Sequence, residues 1–233
     1  TFLDETESVA PNRHGISHLG MWGTKFGWMV GTTLRGDLFH IPQALYGGSN
    51  PDPYAVTGCD YDGVEANRCK GRAFNNLNYV GFNGCRIRYL RAIECEGGVF
   101  HGAGAANVID SISAGSCKGW AIDDGLSANA TGGVPSRLML GKAELDDVEY
   151  GVRLNRISSF VIGVPSIRFI HRYNFNSSLN PSGGYWPRVA IDIAGGTSPS
   201  VKNGTIDAIH RIEAGGAKAN VGVFATGNSD GNI

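Results

Sequence analysis

Alternation is the clearest pattern in the chain. In GVRLN (151–155) Val152 and Leu154 fall on one face and Arg153 on the other; in AIDIA (190–194) Ile191 and Ile193 flank Asp192. An apolar–polar period of two predicts half-buried strands. Similar segments recur at RIRYLRAIEC (86–95), VIDSISAGSC (108–117), RLMLGKAELDD (137–147) and GTIDAIHRIEA (204–214), with Gly and Asn between them. Helical patterns are weak everywhere. The best, RLMLGKAELDDVEY, contains a glycine and fits the strand register equally well.

A second pattern lies on top of the first. CKGRAF (69–74), CEGGVF (95–100) and CKGWAI (117–122) repeat one hexad, 26 and then 22 residues apart. DVEYGV (147–152), PRVAI (187–191) and NVGVF (220–224) match its small–apolar end. Periods of 20 to 50 residues indicate stacked repeats. Two or three short strands per repeat, with no helix between them, predict one coil of a parallel β-helix. The expected fold is therefore all-β, a single-stranded parallel β-helix (solenoid). Stacking puts equivalent positions in columns. It predicts an inward ladder of Cys69, Cys95 and Cys117, a bend at Gly71, Gly97 and Gly119, and an apolar stack of Phe74, Phe100, Ile122, Val152, Ile191 and Val223.

Residues 1–60 repeat less cleanly and are expected to form irregular leading coils and loops. Residues 61–233 are expected to form the regular coils, all in one continuous domain. NFNSSLNPSGGYWP (174–187) reads as a loop inserted on one face, and such insertions are often the binding face. The start, TFLDETESVA, is polar and acidic, resembles no signal peptide and lacks an initiator Met. The end, VFATGNSDGNI, carries no polar cap. Both features suggest a piece of a longer chain.

Composition narrows the partners. The 233 residues carry a formal net charge of −1, which disfavours nucleic acid, since phosphate binding needs a basic surface. No apolar run approaches the ~20 residues of a membrane span, so no membrane insertion is expected. The 35 glycines are roughly twice ordinary usage and suit many tight turns. Five cysteines with no Cys-x-x-Cys pair argue against a zinc site or a full disulfide framework and read as small buried thiols.

The Gly- and Asn-rich coil GCRIRYLRAIECEGGVFHGAGAANV (84–108) and its repeats resemble the right-handed parallel β-helix of bacteriophage tailspikes and the related pectate-lyase-like superfamily. The resemblance covers about residues 60 to 230 and lies in the style of repeat, with no catalytic signature. It implies a homotrimer in the virion tail, made in the host cytoplasm, that binds bacterial surface polysaccharide and in many members cleaves it.

The residue after each core apolar position should face outward, aligning Asn75, His101, Asp123, Arg153 and Asp192. Such a polar ladder suits a glycan. It equally suits a solvated surface on which Asp123 and Arg153 pair across coils. The favoured chemistry is glycosidic hydrolysis, with Asp123 and Asp192 as the first candidates, and a β-eliminating lyase is the alternative. The two aspartates lie two coils apart, within reach of the ~6.5–9.5 Å separation of an inverting carboxylate pair. For a β-eliminating lyase, His101 would be the base and Arg153 would neutralise a uronate. Tyr150 as the acid is ranked low because its parity points inward. A non-catalytic adhesin or structural segment is the third reading. Asn75, Asp124, Tyr185 and Trp186 are candidate substrate contacts, and Asp123–Asp124 also reads as a turn pair. Asp110 should pair with Arg88. CDYDG (59–63) opens like a calcium loop but lacks its downstream Glu. No cofactor and no metal are expected.

Overall fold

The computed structural model describes residues 14–17, 20–41, 55–77, 82–102, 106–125, 138–155, 160–169, 188–194, 204–206, 211–213 and 220–226. These residues form nineteen strands and no helix. All strand pairings are parallel and build three sheets.

The first sheet runs in the order β1 (Ile16–Ser17), β4 (Phe39–Ile41), β7 (Phe74–Asn76), β10 (Phe100–His101), β12 (Trp120–Gly125), β14 (Tyr150–Asn155), β16 (Arg188–Ala194) and β19 (Asn220–Thr226). The second contains β3 (Lys25–Thr32), β6 (Asp60–Asn67), β9 (Arg86–Ile93), β11 (Asn107–Gly115), β13 (Leu138–Val148), β15 (Phe160–Phe169) and β17 (Gly204–Ile206), with β18 (Arg211–Glu213) also on β15. The third is small: β2 (Met21–Trp22), β5 (Val56–Thr57) and β8 (Phe82–Asn83). The early circuits visit the three sheets in rotation, and each strand lies against its counterpart from the circuit before. Strands within residues 21–41 pair in register with those at residues 56–76.

The core follows from this register. Phe39, Phe74, Phe100, Ile122, Val152, Ile191 and Val223 are successive partners in the first sheet. The first six are at most 1% exposed. Phe39 and Phe74 stack with ring centroids 5.0 Å apart. Each such side chain, fully buried, contributes about 1.5–3 kcal/mol. The expected thiol ladder is present: Cys69, Cys95 and Cys117 are buried and reduced, and Cys59 and Cys85 are buried at a second corner. Every thiol donates to the carbonyl two residues back, as Cys95 does to Ile93 at 3.4 Å.

The bend uses the expected glycines, Gly119 through its φ of 68° and Gly71 and Gly97 through close approach, and adds a second device. The residue before each ladder cysteine takes the left-handed conformation: Arg68, Glu94 and Ser116 have φ of 56°, 54° and 53°, and Thr33 in the circuit before has 56°. None is a glycine, so the strain of roughly 1–3 kcal/mol per residue is borne by the stack. Their N–H groups donate to the next circuit, for example Arg68 to Ile93 O at 2.9 Å. Gly71 serves by close approach, since a Cβ there would lie 2.3 Å from Asp37 Oδ1.

A half-buried polar seam as the candidate functional site

Two columns of side chains meet on the outside of the first sheet. The first is the predicted one: Asn75, His101, Asp123, Arg153 and Asp192 occupy successive register positions, and the register extends it to His40 before Asn75 and to Phe224 after Asp192. The second comes from the corner before each strand. Leu38, Ala73, Val99 and Ala121 are buried beside the apolar residue that follows them, so two consecutive residues face the core. Strict alternation breaks there, and the residue ahead of the pair turns outward. Asp37, Arg72, Trp120 and Tyr150 thereby join the surface column. This corrects the inward placement of Tyr150: it is buried outside the core cluster, stacked on Trp120 at 4.9 Å.

Asp123 is the hub of one end. Arg153 donates to both of its oxygens, Nε to Oδ1 at 2.8 Å and Nη2 to Oδ2 at 2.6 Å. His101 Nδ1 lies 3.5 Å and Arg72 Nη2 3.7 Å from Oδ2. Burial pushes the carboxyl up, but His101 and Arg153 outweigh it and hold it well below the usual carboxylate range. The Arg153 guanidinium also lies over the Trp120 ring, 5.3 Å from its centroid. Arg72 reaches across Gly98 and donates from Nη1 to Trp120 O at 3.1 Å and Phe100 O at 3.3 Å. A Cβ at Gly98, whose φ is +90°, would meet Trp120 O at 2.0 Å.

Asp37 is the hub of the other end, and the sequence reading missed it. Its Oδ1 accepts the Arg72 N–H at 2.7 Å; its Oδ2 accepts Asn75 Nδ2 at 2.7 Å and His40 Nδ1 at 2.8 Å. His14 Nδ1 accepts the Asp37 N–H at 3.0 Å, and its ring stacks on His40 at 3.7 Å. Burial raises this carboxyl, and the bonds from His40, Arg72 and Asn75 more than reverse it, leaving it lowered. The Oδ1 of Asn75 is buried with no hydrogen-bond partner among the described residues.

The seam unites Asn75, His101, Asp123 and Arg153, with the strand position of Asp192 next to Arg153. Asp124 follows Asp123 on β12, opposite Leu154. Tyr185 and Trp186 lie outside the described residues. One other expectation needs correction. Asp110 pairs with Arg86 at 2.8 Å, diagonal to Arg88, its partner by register. Arg88 instead bonds Asp60 at 2.6 Å and Asp62 at 3.2 Å, and Lys25 lies 3.6 Å from Asp62. Two basic side chains thus stand where a calcium ion would have to bind.

One signal for the missed hub was available. LRGDLF (34–39) is the hexad with Leu34 in place of the cysteine, and His40 follows its core Phe39 as His101 follows Phe100. Comparison with protein-family profiles, with curated proteins and with solved structures finds no match to this chain.

Proposed function

We propose that the chain forms coils of a right-handed single-stranded parallel β-helix, part of a tailspike-like homotrimer of the virion tail, and that the seam on its first sheet binds and cleaves bacterial surface polysaccharide. Parallel crossovers are right-handed in ~98% of cases, which supports the hand. The observation that carries the function is the seam itself: His40, Asn75, His101, Asp123 and Arg153 side by side, one per circuit. A glycan offers hydroxyls and carboxylates at a spacing such a row can follow.

The chemistry best supported is β-elimination with His101 as base. Asp123 faces Nδ1 and favours the tautomer that leaves the Nε2 lone pair for substrate. The proton α to a uronate carboxylate passes to Nε2, its electron pair forms the C=C bond, and the glycosidic oxygen leaves with a proton from water. Hydrolysis through Asp123 and Asp192 has less support. Both Asp123 oxygens accept from Arg153, so the group is a poor proton donor and a hindered base. The same closed pair favours a second reading, binding without cleavage, because Arg153 is already engaged.

The test is incubation with a panel of capsular and lipopolysaccharide glycans, reading reducing ends and absorbance near the ultraviolet edge. Unsaturated products that vanish in His101→Ala are expected. New reducing ends without unsaturation would replace elimination by hydrolysis. Binding with no product would establish the second reading. Neither binding nor product would sink the glycan assignment.

A further inference from the structure

His14, Asp37 and His40 each present one ligand atom, and these atoms all lie within 4.8 Å of one another. The two edges that meet at Asp37 Oδ2 are short: 2.8 Å to His40 Nδ1 and 3.3 Å to His14 Nδ1. Ligands about 2.0–2.2 Å from one ion are themselves separated by roughly 3–3.4 Å, so these edges already have the size of a coordination shell. We propose that His14, Asp37 and His40 form a site for one divalent transition-metal ion of the zinc class.

The chemistry of the donor set is specific. Two imidazoles and one carboxylate suit zinc and its neighbours and do not suit calcium or magnesium, which take oxygen ligands. The carboxylate is fixed by bonds that an ion would not have to break. The Arg72 N–H holds Oδ1 and the Asn75 amide holds Oδ2, each at 2.7 Å. Ligands of metal sites are commonly oriented by such outer contacts. The missing side chain at Gly71 makes room for this carboxylate, since a Cβ would lie 2.3 Å from Oδ1. His14 and Asp37 are buried or nearly so on a surface where solvent would otherwise compete for them.

Binding requires two local adjustments. The rings are parallel within 7°, so they must splay about their side-chain torsions to aim both Nδ1 lone pairs at one point. His40 must also move its proton from Nδ1 to Nε2, and His14 must exchange the Asp37 N–H for the ion. None of this moves a strand. Three protein ligands leave at least one coordination position for water or another donor. The site lies at the β1 end of the seam, beside Asn75. The inference does not depend on the glycan reading.

The experiment is titration of the full chain with Zn2+ by calorimetry and with Co2+ by visible absorption. One ion per chain is expected, with the intense Co2+ bands of a four- or five-coordinate centre. His14→Gln and His40→Gln should each weaken binding by more than the ~10–100-fold that loss of a supporting contact costs. Zinc at 100 times its dissociation constant should raise the folded-to-unfolded ratio of the unaltered chain about 100-fold, an effect His14→Gln should abolish. The stabilisation measurement needs only the unaltered chain, so it stands even where a variant fails to fold. Absence of stoichiometric binding, or binding that both variants leave intact, would overturn the proposal.

Discussion

Arg153 and Asp123 form a pair whose two halves should not be equally expensive to remove. The Asp123 side chain is 9% exposed and the Arg153 side chain 36%. Deleting one partner of a buried pair costs about 3–5 kcal/mol, mostly because the other charge is left uncompensated in low dielectric. In Arg153→Ala the stranded group is the buried carboxylate, with Arg72 at 3.7 Å as its remaining cation and the His101 ring at 3.5 Å. Neither makes a fork, so a loss of about 3 kcal/mol is expected. In Asp123→Asn the stranded group is a guanidinium with a third of its surface already in water. It can rotate outward and keep part of its Trp120 contact, so about 1–2 kcal/mol is expected. The double variant removes both charges and should be more stable than Arg153→Ala alone. Urea unfolding at neutral pH measures all three. The pair also sets a pH dependence. The folded carboxyl titrates below its unfolded value of ~3.9, so its contribution is present above about pH 4 and is lost as pH falls further. That acid slope should flatten in Arg153→Ala. Additive losses in the double variant, or Asp123→Asn costing as much as Arg153→Ala, would refute the reasoning.

Three further outcomes are expected. Gly98→Ala places a Cβ against Trp120 O at a φ of +90°, so thermal unfolding should show a loss of roughly 2–4 kcal/mol. Asn107→Ala removes a buried amide whose Oδ1 accepts the Cys85 N–H at 2.9 Å and whose Nδ2 donates to Phe82 O at 3.0 Å. Two backbone groups are left unpaired, and denaturant unfolding should show a loss of about 2–3 kcal/mol. Native protein should not react with a thiol reagent at pH 8, and five thiols should react in urea. Burial raises Cys85 to about 12, and Cys95 reaches about 12 chiefly through its bond with Cys117. Fast labelling of any native thiol would contradict the buried ladder.

The first column of the seam was legible because hexads fix register. Once Phe74, Phe100 and Ile122 are equated, the residue after each must share a face, and Asn75, His101 and Asp123 follow. The second column was not legible, for a geometric reason. Parity carries a prediction along a strand only while the backbone stays extended. At the corner, Ala121 and Ile122 both face the core, so Trp120 emerges on the side that alternation assigns to the interior. The same break hid Tyr150. Diagonal partners were also beyond reach: Arg86 and Arg88 differ by one pleat, and the choice of Asp110 between them rests on side-chain length and on the competing attraction of Asp60 and Asp62. The Asp37 hub was hidden by a single substitution, Leu34 where later circuits have cysteine.

Because every described strand is bonded only to its counterparts in adjacent circuits, the stack should come apart from its outermost described strands. Peeling at β19 removes Phe224 and then Asp192 while the Asp37 and Asp123 hubs stay assembled. Peeling at β1 is different: β1 meets β4 through only two register pairs, and with it go the residues around His14. A pulling experiment that grips the two ends should therefore record a succession of small rips rather than one large one, with the weakest at the β1 end. An ion held by His14 and His40 would act there as a mechanical clasp, and adding zinc should raise the force of that first rip alone.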